Sequence, residues 1–127
     1  MVEERLEKLQ KGLLGNKSTA LIVSSAVNIQ YLTGYSNFSR LEREAYLFVT
    51  ESTALLFTDG RYIEGVRSKL PKGVRVFLHT ELLKNIKKSK VKRIGVEQNF
   101  TLAELKKFRK ETGKKFVLTE QIVENLR

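Results

Sequence analysis

A chain of 127 residues, 41% of them hydrophobic, has enough apolar material for one packed domain spanning residues 1–127. It has no cysteine and one histidine, His79, which excludes a disulfide scaffold, a thiolate metal site and a thiol nucleophile. The formal charge of +10 is concentrated between Lys84 and Lys115, where 12 Lys and Arg accompany 3 Glu; no aromatic residues alternate with them, so a solvated face is expected in preference to a nucleic-acid footprint.

Val2, Leu6, Leu9 and Leu13 recur at helical spacing and predict a first helix that Gly12 or Gly15 can end. Residues 20–24 form a short apolar run without helical period, expected to be a buried strand. Residues 26–33 predict a short helical or irregular turn closed by Gly34, and the polar stretch 35–42 predicts a loop. Residues 44–50 and 53–58 are β-rich and separated by Glu51-Ser52, the pattern of an antiparallel hairpin. Tyr62, Ile63, Val66 and Leu70 predict a helix over 61–70, broken by Pro71 and Gly73.

Residues 74–78 alternate as a strand, and Thr80 is expected to cap a short helix over 81–86. A strand at 94–96 precedes the capping box Thr101-x-x-Glu104, which opens a helix with Leu102, Leu105 and Phe108 inward and Gly113 at its end. A strand at 116–118 and a helix over 120–126 complete the chain. Strands alternating with helices around one hairpin predict an α/β fold with a mixed sheet.

Few residues here can do metal or acid–base chemistry. Asp59 is the sole aspartate, and no His-x-x-His or paired-carboxylate motif occurs, so a divalent-metal site is hard to assemble. His79, at the end of a predicted strand, reads more readily as structural than as a ligand. The string Thr58-Asp-Gly-Arg-Tyr62 admits two local readings: Asp59 or Thr58 capping a helix, or an Asp-Gly hairpin turn joining 55–57 to 62–63. The helical period of Tyr62, Ile63, Val66 and Leu70 favours the cap.

Asn28-Ile-Gln-Tyr-Leu-Thr-Gly-Tyr-Ser36, followed by Leu56-Phe-Thr-Asp-Gly-Arg-Tyr62, resembles the amino-terminal domain of the creatinase/prolidase/Xaa-Pro aminopeptidase family. Arg93-Ile-Gly-Val-Glu97 and Ile122-Val-Glu-Asn-Leu-Arg127 extend the resemblance along nearly the whole chain. It implies a three-layer α/β/α unit with a mixed, mostly parallel sheet containing one antiparallel hairpin, in a topology related to ribonuclease H. The candidate strands lack the carboxylate cluster that ribonuclease H chemistry requires, so a nuclease is not expected.

The resemblance also implies a division of labour. The parent would be a proline-specific peptidase, an Xaa-Pro dipeptidase or aminopeptidase acting on proline-containing peptides. Its two divalent metal ions (Mn, Co or Zn) would lie in a C-terminal pita-bread catalytic domain outside these residues. This domain would contribute homodimer contacts, with Tyr35, Ser36, Asn37, Phe38, Ser39 and Arg40 near the partner subunit's substrate, where Arg40 could pair with a carboxylate. Arg40 and Arg43 read equally as ordinary exposed loop charges. Asn28, Tyr31, Gly34, Asp59, Arg61 and Tyr62 are expected to be architectural. Two alternatives accompany this reading: a stand-alone binding module of the same fold for an acidic protein or nucleic acid, and the amino-terminal domain of a creatinase-type amidinohydrolase.

Overall fold

The structure, a computed structural model, describes residues 2–14 and 19–127. Its elements run α1 (Val2–Leu14), β1 (Thr19–Val23), α2 (Ala26–Thr33), β2 (Ala45–Val49), β3 (Ala54–Thr58), α3 (Ile63–Arg67), β4 (Val74–Leu78), α4 (Leu82–Lys88), β5 (Arg93–Val96), α5 (Leu102–Thr112) and β6 (Lys115–Leu118). The six strands form one sheet in the order β4-β3-β2-β1-β5-β6. β2 runs antiparallel to both neighbours, β1 and β3, and the other three pairings are parallel. The sheet is therefore mixed and mostly parallel, with β2 and β3 as the expected hairpin.

Both sheet faces are covered, which is why the central strands read as nearly continuous apolar runs. On one face Leu6, Leu9 and Leu13 of α1, Ile29 and Leu32 of α2 and Val66 of α3 pack against Leu21, Val23, Leu47, Val49 and Leu56. On the other, Leu82 and Ile86 of α4 and Phe108 of α5 pack against Ile22, Phe48, Phe57, Ile94 and Phe116. Strand neighbours alternate between these two cores, as the period of two requires.

The local expectations fail at several places. Gly12 lies within α1 and does not end it; Gly15 falls outside the described residues. The helix expected over 61–70 is only Ile63–Arg67, because residues 59–62 are consumed by a turn in which Tyr62 N donates to Asp59 O at 3.1 Å. Thr80 caps nothing: it sits inside a 3-10 turn, His79–Glu81, and α4 begins without a side-chain cap. Leu102 is 64% exposed, while Leu105 is half-buried and Phe108 buried, so α5 turns its apolar stripe inward one turn later than expected. The final helix is reduced to a 3-10 turn, Glu124–Leu126, because Gln121 adopts a φ of 51°, which no α-helix accommodates.

Candidate functional site

β1 and β5 are parallel neighbours, and their carboxyl ends open side by side at the point where the sheet changes direction toward β2. Such a switch point is where chain segments leave room for a ligand or a partner. Helix α2 starts there. Ser25 caps it by accepting from Asn28 N at 3.3 Å, and Gly34 ends it in the left-handed region with φ 82°, donating its N–H to Gln30 O at 2.7 Å.

Ile29 and Leu32 are buried in the core, whereas Asn28 and Tyr31, three residues apart, face the chain's last segment. Asn28 Nδ2 donates to Glu97 Oε2 at 2.6 Å and to Glu124 Oε2 at 3.0 Å. Tyr31 Oη donates to Leu126 O at 2.9 Å, and the Arg5 guanidinium stacks over its ring at 4.5 Å while donating to Tyr31 O. Glu97 is the buried hub of this corner: its Oε1 accepts from Ser24 N at 2.8 Å and Ser25 N at 2.9 Å. Burial pushes the Glu97 carboxyl up, and the bonds from Ser25, Asn28 and Ser24 offset only part of that rise.

The loop from Tyr35 to Glu44 is stapled down rather than loose. Tyr35 and Phe38 are buried, 6% and 7% exposed, with ring centroids 4.7 Å apart. Phe38 also meets the Tyr62 ring edge-on at 5.4 Å. Glu44 ties the loop's two sides together, accepting from Ser39 N at 2.5 Å and from Tyr62 Oη at 2.6 Å. The Tyr62 hydroxyl and then the Ser39 N–H hold the Glu44 carboxyl below its ordinary range. Ser39 Oγ accepts from Leu41 N and Glu42 N, which turns the chain outward. Ser36, Asn37 and Arg40 are exposed, and Leu41 is 97% exposed at the tip.

Arg43 anchors the loop's far side. Its guanidinium donates to both oxygens of Glu104, at 2.8 and 2.9 Å, to Ser24 O at 3.0 Å and to Asn99 O at 2.6 Å. Tyr46 Oη donates to Glu104 Oε2 as well, and Thr101 N donates to Oε1 within the capping box. Burial raises the Glu104 carboxyl, but Arg43, the Thr101 N–H and the Tyr46 hydroxyl outweigh it and hold the group at about 2. Burial, then the bond to Glu104, pushes the Tyr46 hydroxyl up. Arg43 is thus no ordinary loop charge. Nothing in the sequence marks its partner, which lies 61 positions away.

Asp59 does not cap a helix, nor does the hairpin turn occur, since β3 continues into a parallel β4. Its Oδ1 instead accepts from Arg61 N at 2.8 Å, closing a small side-chain turn, and its carboxylate pairs with Arg61 Nη2 at 3.0 Å. The bond from Arg61 holds the Asp59 carboxyl low. His79 is exposed and shares a cleft of about 510 Å³ with Asp59, Arg61, Glu44 and Tyr46. The Ser24 hydroxyl is committed to Asn99 Oδ1 at 2.5 Å.

Residues 5–127 match the family described as the creatinase/prolidase N-terminal domain. The chain belongs to that family. Comparison with curated protein sequences finds no match. Among solved structures, the domain is similar to an Xaa-Pro aminopeptidase from Streptococcus pyogenes, with a TM-score of 0.84, 23% identity, and 99% of this chain and 97% of that chain covered. It is similar to the N-terminal domain of the cytoplasmic peptidase PepQ from Mycobacterium tuberculosis, with a TM-score of 0.78, 26% identity and 98% of each chain covered. It also matches an Xaa-Pro dipeptidase from Bacillus anthracis at a TM-score of 0.84 and 19% identity, covering 100% of this chain and 36% of that one.

The paired divalent metals implied for this family do not fit the creatinase/prolidase N-terminal domain described here. Among the described residues no group of three or more His, Cys, Asp or Glu side chains converges, and Glu97 and Glu104 are occupied by N–H and guanidinium donors. Among those residues, too, no helix is long and apolar enough to cross a membrane.

Proposed function

We propose that this chain acts as the non-catalytic N-terminal domain of an Xaa-Pro dipeptidase or aminopeptidase. In that setting it supplies homodimer contacts and a loop that shapes the active site of the partner subunit. The metal-bearing domain that hydrolyses the bond before proline lies outside these residues. Family membership and the Xaa-Pro peptidases among the solved neighbours support the parent's class.

The observation that carries the loop's role is its construction. Glu44 and Arg43 clamp it from two sides, Tyr35 and Phe38 root it in the core, and Arg40 and Leu41 are held outward on the tip. A loop held this firmly has already lost the entropy that binding would otherwise cost, so its exposed groups are preorganised for a neighbour. Within the segment 35–40, Ser36, Asn37 and Arg40 are the side chains free to meet a substrate, while Tyr35, Phe38 and Ser39 hold the shape.

The test uses the longer peptidase. Arg40→Ala is expected to raise KM or lower kcat on Xaa-Pro peptides about tenfold, the scale of one lost charge-assisted pair, while leaving the melting temperature unchanged. Mixed dimers locate the effect: with a catalytically inactive subunit, the substitution should reduce activity only when carried by the inactive partner. Unchanged kinetics, or an effect confined to the active subunit itself, would refute action across the interface.

A further inference from the structure

The topology gathers positive charge at one end of the molecule. The parallel strands β1, β5 and β6 begin side by side, with Thr19 opposite Arg93 and Arg93 opposite Lys115. The connections entering β5 and β6 leave the C-terminal ends of α4 and α5 and are bonded to one another: Lys115 N donates to Lys92 O at 3.1 Å, and Lys114 Nζ to Ser89 O at 2.7 Å. Lys87, Lys88, Lys90, Lys92, Arg93 and Lys115 therefore share this end, and all six are exposed. No ion pair is formed by any of these six among the described residues. No acidic residue occurs between Leu82 and Val96, and beyond its first turn α5 carries Glu111 alone.

Part of this arrangement serves the helices. Lys87 and Lys88 close α4, where a cation suits the negative end of the helix dipole. That reason does not reach Lys90, Lys92, Arg93 and Lys115, which lie in a connection and at strand starts. Their mutual repulsion disfavours the compact state unless something else occupies the field they create.

We propose that this basic end is a docking surface for an acidic protein. No Phe, Tyr or Trp lies between Lys84 and Arg93 or at Lys114 and Lys115 to stack on bases. Five of the six cations are lysines, point charges on flexible stems that steer and pair with scattered carboxylates without demanding planar geometry. The surface lies at the opposite end of β1 and β5 from the loop at 35–44, so it leaves that loop's role untouched.

The full 127-residue chain is titrated against fluorescent poly-L-glutamate and against a short duplex DNA at about 0.15 M ionic strength, read by anisotropy. One variant carries Lys90→Gln, Lys92→Gln, Arg93→Gln and Lys115→Gln. A control carries Arg61→Gln, Lys106→Gln, Lys107→Gln and Arg127→Gln, exposed cations toward the opposite end, where β3 finishes, α5 begins and the chain has left β6, giving the same change in net charge. Melting curves check that both remain folded. The expected result is tighter binding of poly-L-glutamate than of duplex, a loss of about tenfold or more in the first variant, and a loss under about twofold in the control. Equal losses would reduce the effect to net charge, tighter duplex binding would make the surface a nucleic-acid site, and no binding of poly-L-glutamate would leave it merely solvated; each overturns the proposal.

Discussion

Replacing Arg43 with alanine strands a Glu104 carboxylate whose side chain is only 16% exposed, together with the carbonyls of Ser24 and Asn99. The expected cost is about 2–3 kcal/mol, since breaking a largely buried pair leaves one charge without its partner. Urea denaturation measures it, and a loss below about 1 kcal/mol would show that the loop stands without this clamp. Lysine at the same position keeps the charge but cannot grip both carboxylate oxygens, so Arg43→Lys should recover only part of the loss. Acid acts on the same bond. Glu104 is depressed from 4.5 to about 2, so its contribution is complete above the unfolded value and is lost as pH falls from about 4.5 toward 2. Glu97 runs the other way: its folded value is raised, so the folded state takes the proton first and this site gains as pH falls through that value. Glu97→Gln removes that gain, and the variant should lose stability more steeply than the parent chain on mild acidification. A parallel pH dependence in both proteins would contradict the assignment. Of these groups the sequence revealed Thr101 and Glu104 as a capping box, because a cap is local; the Arg43 clamp and the Asn28–Glu97 bond join residues 61 and 69 apart, which no spacing rule reaches.

Elements were legible where a pattern had local punctuation. Helix α5 has its capping box and Gly113 at φ 70°, and the strands announce themselves as short apolar runs. The helix expected over 120–126 misled because Val123 and Leu126 carry an apolar spacing, yet Val123 fills a core slot from an irregular segment. Helix α3 was overextended because Asp59 folds back on Arg61 before the helix can start. Between β5 and β6 the fit is close enough to test. A Cβ on Gly95 would lie 2.6 Å from Thr119 Cγ2 and 3.4 Å from Leu21 Cδ1. Thr119 is also fixed by its N–H and hydroxyl, both donating to Val96 O. Gly95→Ala is therefore expected to cost about 1–3 kcal/mol, as overpacking does. Adding Thr119→Ser, which deletes the clashing methyl and keeps the hydroxyl, should return at least half of that; no recovery in the double mutant would place the strain elsewhere.

At the scale of the whole molecule the two ends differ in kind. One carries a stapled loop with its carboxylates already engaged, and the other carries crowded cations without ion-pair partners. Composition revealed that 12 Lys and Arg fall between Lys84 and Lys115, but only the strand order shows that half of them meet at one end. Their repulsion predicts that thermal stability rises as salt increases from about 0.01 to 0.15 M, the range over which the screening length shrinks from about 30 to 8 Å. A flat or falling melting temperature would mean that these charges do not oppose folding. The chain alone, supplied with manganese or cobalt, is expected to leave Xaa-Pro peptides intact, and turnover above a metal-only blank would overturn its non-catalytic reading.

The closing stretch after β6 has a practical implication for anyone preparing shorter versions of this protein. Judged by regular secondary structure alone, Leu118 is the natural place to cut. Such a cut would pull Val123 out from among its core neighbours, leave the Asn28 amide with Glu97 but without Glu124, and leave the Tyr31 hydroxyl without the carbonyl that now receives it. The last nine residues act as a keystone for α2 rather than as a tail, and a trimmed version should be judged first by whether that helix still forms.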